Sequence, residues 1–115
     1  MRTVRGETQR RTVTDRILNE IQSRLKSAFG SRLEGIVLYG SEARGEARPD
    51  SDIDILVLLQ GPIRLWQDIE TCVRAIYPLS LSIGRPISCK PVDVKQFQAG
   101  VCPLYEDAMR EGIRL

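Results

Sequence analysis

Two aspartates one residue apart, Asp52 and Asp54, open the apolar run Asp52-Ile53-Asp54-Ile55-Leu56-Val57-Leu58-Leu59. In a strand alternate side chains share a face, so the two carboxylates point the same way, about 7 Å apart over two steps of ~3.3 Å. They can converge on one divalent cation, since carboxylate–magnesium contacts are about 2.1 Å long. Ile53, Ile55 and Val57 take the other face and are natural core. Leu56 and Leu58 continue the acidic face, so the strand is expected to be buried on both sides. Acids at the start of such a strand are costly unless something neutralises them, and a metal ion does so directly. Taken alone, Asp-x-Asp reads more plainly as a solvated pair at a strand end, where aspartate often begins a turn.

A second piece of chemistry lies just upstream, in Val37-Leu38-Tyr39-Gly40-Ser41-Glu42-Ala43-Arg44-Gly45. A strand ending at Gly40 and a helix opening at Ser41 present free backbone N–H groups, which suit a phosphate. Gly40 permits close approach of the backbone, and the Ser41 hydroxyl adds a donor. Arg44, one helical turn on, can reach a phosphate or an acid. Glu42 and Glu46 are expected to face solvent. Gly-Ser alone is a common capped turn. Joined to two acids beginning eleven residues after Ser41 (52 − 41), it offers both halves of what a metal triphosphate requires.

The elements that must position these groups follow from periodicity. Thr12 or Thr14 can cap a helix carrying Ile17, Leu18, Ile21, Leu25, Ala28 and Phe29 at helical spacing, with Gly30 as its stop. Gly35 to Tyr39 reads as a buried strand, and Ser41 to about Ala47 as a short helix. Arg48-Pro49-Asp50-Ser51 is a turn and Asp52 to Leu59 a second strand. Leu65, Trp66, Ile69, Val73 and Ile76 mark a helix to about Leu81. Ile87 to Val94 is a third strand, with Pro91 suited to an edge. Pro103 opens a last helix, Leu104 to Arg110, closed by Gly112. Trp66, Leu104 and Tyr105 are expected in the core. The order α-β-α-β-α-β-α predicts an α/β domain, with residues 1–11 as a basic tail and 12–115 as one folded unit.

Composition narrows the function classes. Hydrophobic residues are 42% of the 115, enough for a packed core, and the length predicts one domain. A net charge of +2 from 17 basic and 15 acidic residues gives no argument for nucleic-acid binding. Arg2, Arg5, Arg10, Arg11 and Arg16 crowd the N-terminus as a solvated tail. There is no histidine, and Cys72, Cys89 and Cys102 form no CxxC pair, which removes the usual zinc sites and His-based catalysis. Three cysteines without an apolar leader predict reduced thiols and a cytoplasmic location. The run Ile55 to Leu59 is too short to cross a membrane.

Gly40-Ser41-Glu42-Ala43-Arg44-Gly45 followed by Ser51-Asp52-Ile53-Asp54 resembles the signature of the DNA polymerase β-like nucleotidyltransferase superfamily, and within it the minimal nucleotidyltransferases. The resemblance implies a small mixed β-sheet flanked by helices. It implies Mg2+, two ions, bound by Asp52 and Asp54. It also implies a third carboxylate on the next strand, for which Asp93 in Pro91-Val92-Asp93-Val94 is the candidate. Gly40, Ser41 and Arg44 would hold the phosphates of a nucleoside triphosphate, taken as ATP. The implied reaction moves a nucleoside monophosphate to an acceptor hydroxyl. Small relatives pair with a helical HEPN toxin, which makes that toxin the expected acceptor and gives the chain an antitoxin role. A nucleotide-binding or antitoxin module without turnover and an antibiotic-modifying enzyme are the alternatives, the latter expected to require an extra helical domain. The nucleotide, the acceptor and the oligomeric state stay open.

Overall fold

The computed structural model describes residues 13–115, so the basic tail at 1–11 and the Thr12 cap lie outside the described residues. The cap is Thr14, whose hydroxyl accepts from the Ile17 amide at 3.2 Å. It opens α1 (Asp15–Phe29), which buries Leu18, Ile21, Leu25 and Phe29. After one 3-10 turn come β1 (Leu33–Tyr39), α2 (Ser41–Arg44), β2 (Ile53–Leu59), α3 (Leu65–Ile83), β3 (Ile87–Asp93), α4 (Val94–Ala99), α5 (Pro103–Glu111) and β4 (Ile113–Arg114). The strands form one sheet in the order β3-β2-β1-β4. β1 is antiparallel to β2 and β4, while β2 and β3 are parallel. This is an α/β fold with a small mixed sheet flanked by helices.

β2 is central and apolar on both faces, as its sequence predicts. Ile53, Ile55, Val57 and Leu59 pack with α1 and α3, around Ile21, Leu25, Cys72 and Ile76. Leu56 and Leu58 pack on the other face with Val37, Val92, Phe97 and Ala108. The long helices α1 and α3 thus cover one face. The short helices α4 and α5 cover part of the other, and the acidic end of β2 emerges on that second face.

Three elements depart from the sequence reading. α4 was not foreseen: Asp93 caps it, its carboxylate accepting from the Lys95 amide at 2.8 Å. The two-residue strand β4 is too short to leave a pattern. α3 buries Asp68, Cys72, Ile76 and Leu79 rather than a stripe through Trp66 and Val73. Trp66 is 77% exposed, and Val73, Tyr77 and Leu81 share its outer face. Leu104 and Tyr105 do pack against the second core cluster. The buried Asp68 is met by Arg32, whose guanidinium donates at 2.8 and 3.1 Å and holds that carboxyl below its ordinary pKa. Among the described residues no helix is long and apolar enough to cross a membrane.

Candidate active site

The sheet brings the two sequence motifs together. β1 and β2 run antiparallel with Tyr39 opposite Asp54, so the turn leaving β1 at Gly40 lies over the start of β2. Gly40 has φ 72° and ψ −152°, a conformation open to glycine and strained for other residues. A Cβ there would sit 2.4 Å from the Asp54 Oδ2. The glycine is therefore favoured twice, by its backbone and by the Asp54 carboxylate, which any Cβ there would push aside. Gly40→Ala is expected to cost about 1–3 kcal/mol in a urea melt and to weaken Mn2+ binding by displacing Asp54. Wild-type metal affinity in that variant would show that the close approach is incidental.

The helix after the turn is shorter than its sequence suggests. α2 is one turn, stopped by Gly45 in the left-handed conformation. The Glu46 amide closes back onto the Ser41 carbonyl at 2.9 Å. A turn this short offers an anion its backbone N–H groups and the Ser41 hydroxyl rather than a long helix dipole. Arg44 is half exposed and engaged by Glu46 at 2.9 Å and Glu111 at 3.8 Å. It is near enough to favour the ionised form of Asp54.

Asp52 is exposed and Asp54 half-buried. Burial, and then the negative charge of Asp52, push the Asp54 carboxyl above its ordinary value, while Arg44 and Lys90 pull it back. Burial first and Asp54 second raise the neighbouring Tyr39 phenol. Two acids that resist shared ionisation suit one divalent cation between them. Its remaining ligands would be water and phosphate oxygens, the usual habit of magnesium. Because the cation needs both carboxylates ionised, affinity should fall as pH drops through the raised Asp54 value, above the ordinary 3.8. Calorimetric Mn2+ titrations at stepped pH check this; a midpoint at or below the ordinary value would contradict it.

Asp93 does not join the pair. In the parallel ladder Asp54 faces Ser88, and Asp93 faces Leu59 at the other end of β2. Five strand steps separate the two levels, roughly 16 Å. Asp93 is instead the cap of α4 and packs against Gly61. Among the described residues no three Asp, Glu, Cys or His side chains gather as a metal-holding group. Asp52 and Asp54 are thus without Asp93 as a third carboxylate.

Glu42 overturns the expectation of a solvent-facing residue, whereas Glu46 is exposed as predicted. Glu42 is fully buried and takes a 2.6 Å charge-assisted hydrogen bond from Arg85, itself 8% exposed. Its other oxygen accepts from the Val13 amide at 3.3 Å. The Arg85 Nε donates to the Ser51 carbonyl at 2.9 Å, and the Ile53 amide to the Pro86 carbonyl at 2.9 Å. These contacts tie the turn after β1, the residues on either side of Asp52 and the entry to β3 into one unit. Sequence spacing gave no signal for it, since Glu42 and Arg85 lie 43 residues apart.

A hollow beside the site is lined by Tyr39, Gly40, Arg44, Leu104, Asp107 and Glu111. Larger hollows lie away from the carboxylates, one at Gln22, Glu34 and Leu115, one between α1 and α3 and one at Asp15, Asn19 and Leu115.

Comparison with known proteins identifies the family. Residues 15–99 match the family model described as the nucleotidyltransferase domain. The chain is 34% identical over 70 residues to a protein of Methanocaldococcus jannaschii named "putative protein adenylyltransferase", covering 61% of this chain and 68% of that one. A second protein so named from the same organism is 46% identical over 83 residues, covering 68% of this chain and 56% of its own length. The spectinomycin 9-adenylyltransferase of Campylobacter jejuni is 30% identical over 92 residues, covering 76% of this chain and 33% of that enzyme. The chain thus spans between about a third and two thirds of these relatives. The crystal structure of a "putative nucleotidyltransferase" from Sulfolobus solfataricus superposes with a TM-score of 0.62 at 22% identity, over 86% of this chain and 76% of that one, and shares the polymerase β-like fold. With a family model spanning most of its length, the chain belongs to the nucleotidyltransferase domain family.

Proposed function

We propose that this chain transfers a nucleoside monophosphate, AMP, from ATP to a hydroxyl of a partner protein with the help of magnesium. The observation that carries the reading is the seating of Gly40 against Asp54, which joins a phosphate-binding turn to a metal-binding acid in one site. In this reading the backbone amides of the turn after Gly40, the Ser41 hydroxyl and Arg44 grip the β- and γ-phosphates. Asp52 and Asp54 hold the cation. Bound magnesium would neutralise charge on the phosphates and orient them, which is most of what phosphoryl chemistry asks of a protein.

The names of the two Methanocaldococcus relatives support a protein acceptor, and the resemblance to minimal nucleotidyltransferases points to a HEPN toxin with this chain as its cytoplasmic antitoxin. Incubation with ATP labelled at the α-phosphate, magnesium and co-purified partner tests it. Mass spectrometry should find AMP on a partner hydroxyl, and an unlabelled partner at full occupancy of the complex would reject it. The absence of Asp93 from the site favours a second reading, a module that binds nucleotide and partner without turnover. In that case Asp52→Asn and Asp54→Asn would leave neutralisation of the partner intact.

A further inference from the structure

One cationic side chain lies beside Asp54 on the neighbouring strand. β3 runs parallel to β2 with Asp54 opposite Ser88 and Leu56 opposite Lys90. Val92 of β3 is buried with Leu56, Leu58 and Val37. By alternation Ser88 and Lys90 lie on that same face, which is also the face of Asp54. Lys90 is thus the diagonal neighbour of Asp54, one strand across and two residues along, roughly 8 Å away by strand spacing and rise. Its four-carbon stem is long enough to carry the ammonium across that gap. Lys90 is exposed and its ammonium has no ion pair or hydrogen bond among the described residues. It is one of two cations that favour ionised Asp54, and the other, Arg44, is already engaged by Glu46 and Glu111.

Resting on the nucleotidyltransferase reading, we infer that this site works with one divalent cation and that Lys90 supplies the second positive charge. The ammonium donates to a non-bridging oxygen of the phosphate being transferred, from the flank of Asp54. In the step it serves, the acceptor oxygen forms a bond to the α-phosphorus. The bond from that phosphorus to the bridging oxygen breaks, and pyrophosphate leaves with the electron pair. The acceptor proton passes to solvent. Lys90 neutralises charge throughout and neither gains nor loses a proton.

The test uses the full chain, Mn2+ and an ATP analogue that cannot be cleaved between the α- and β-phosphates. Electron paramagnetic resonance should count one bound Mn2+ per nucleotide-loaded chain. Lys90→Met should weaken the analogue about tenfold at saturating Mn2+, the scale of one hydrogen bond to a charged group. Lys90→Arg should stay within about threefold, because the guanidinium keeps both the charge and the donors. Since Lys90 is exposed, unfolding midpoints should match among all three proteins, which separates this role from a structural one. Two Mn2+ ions per wild-type chain, or unchanged affinity in Lys90→Met, would overturn the inference while leaving the transferase reading standing. A wild-type chain that binds neither Mn2+ nor the analogue would bring down both.

Discussion

Asp54→Asn is expected to abolish magnesium-dependent transfer while making the protein more stable. Asp54 is half-buried, and its carboxyl is pushed up first by burial and then by the charge of Asp52. An acid whose pKa is raised on folding binds its proton more tightly in the native state. Its ionisation therefore costs stability, none below the unfolded value and the full amount once pH has risen through the folded one. At neutral pH the native state bears that cost. Asparagine has nearly the same shape and no charge, so it removes the repulsion with Asp52 and the desolvation of an anion. The unfolding midpoint should rise. Metal binding should be lost with the carboxylate, and transfer should fall by at least about 10²–10³-fold, the scale seen when one preorganised electrostatic contact is removed. Differential scanning calorimetry and Mn2+ titration on the same preparation read both effects. A lower midpoint would mean that Asp54 anchors the fold, and retained transfer in both Asp54→Asn and Asp52→Asn would remove the site from the mechanism. Asp52 is exposed, so Asp52→Asn should lose activity with a smaller gain in stability.

What could be read from the sequence was what depends on near neighbours. Asp52 and Asp54 share a face because strands alternate, and Gly40-Ser41 precedes them across a connection that holds only the one-turn α2 and a loop. Both motifs are local, and the pairing of β1 with β2 follows from a short connection. Asp93 shows the opposite case. Its Val-Asp-Val setting looks like that of Asp54, but its place is decided by the register of β3 on β2, which puts Ser88 opposite Asp54. The spacing along the chain carries no information about that register. α3 misled for a related reason. It is apolar on more than one side, and the buried side is the one that carries Asp68, neutralised by Arg32 from 36 residues away. A charged residue in an otherwise apolar stripe reads as solvent-facing until its partner is known. Lys90 was invisible as a site residue on the same ground, since only the parallel ladder brings it beside Asp54.

Glu42 is the most consequential of these hidden pairings, and Glu42→Ala should cost about 3–5 kcal/mol. That is the usual penalty for removing one partner of a buried ion pair, because the remaining charge stays buried after losing its carboxylate. Here the remaining charge is Arg85, which is 8% exposed. Against a total stability of about 5–15 kcal/mol for a typical domain, the loss would leave a substantial fraction of the chain unfolded at elevated temperature. Urea denaturation measures it directly, and a loss under about 1 kcal/mol would mean that water relieves the pair. The double variant Glu42→Leu with Arg85→Met separates stability from positioning. Apolar replacement of both partners is often neutral or stabilising, so the fold should largely recover. The Ser51 carbonyl would still lack the Arg85 donor that holds it at 2.9 Å. Asp52 would then hang from a looser loop, and Mn2+ affinity should stay low in a protein that melts normally. Recovery of both would reduce the ion pair to a packing element. Recovery of stability alone would show that a charge pair 43 residues apart in sequence is what sets the two aspartates at the geometry a metal requires.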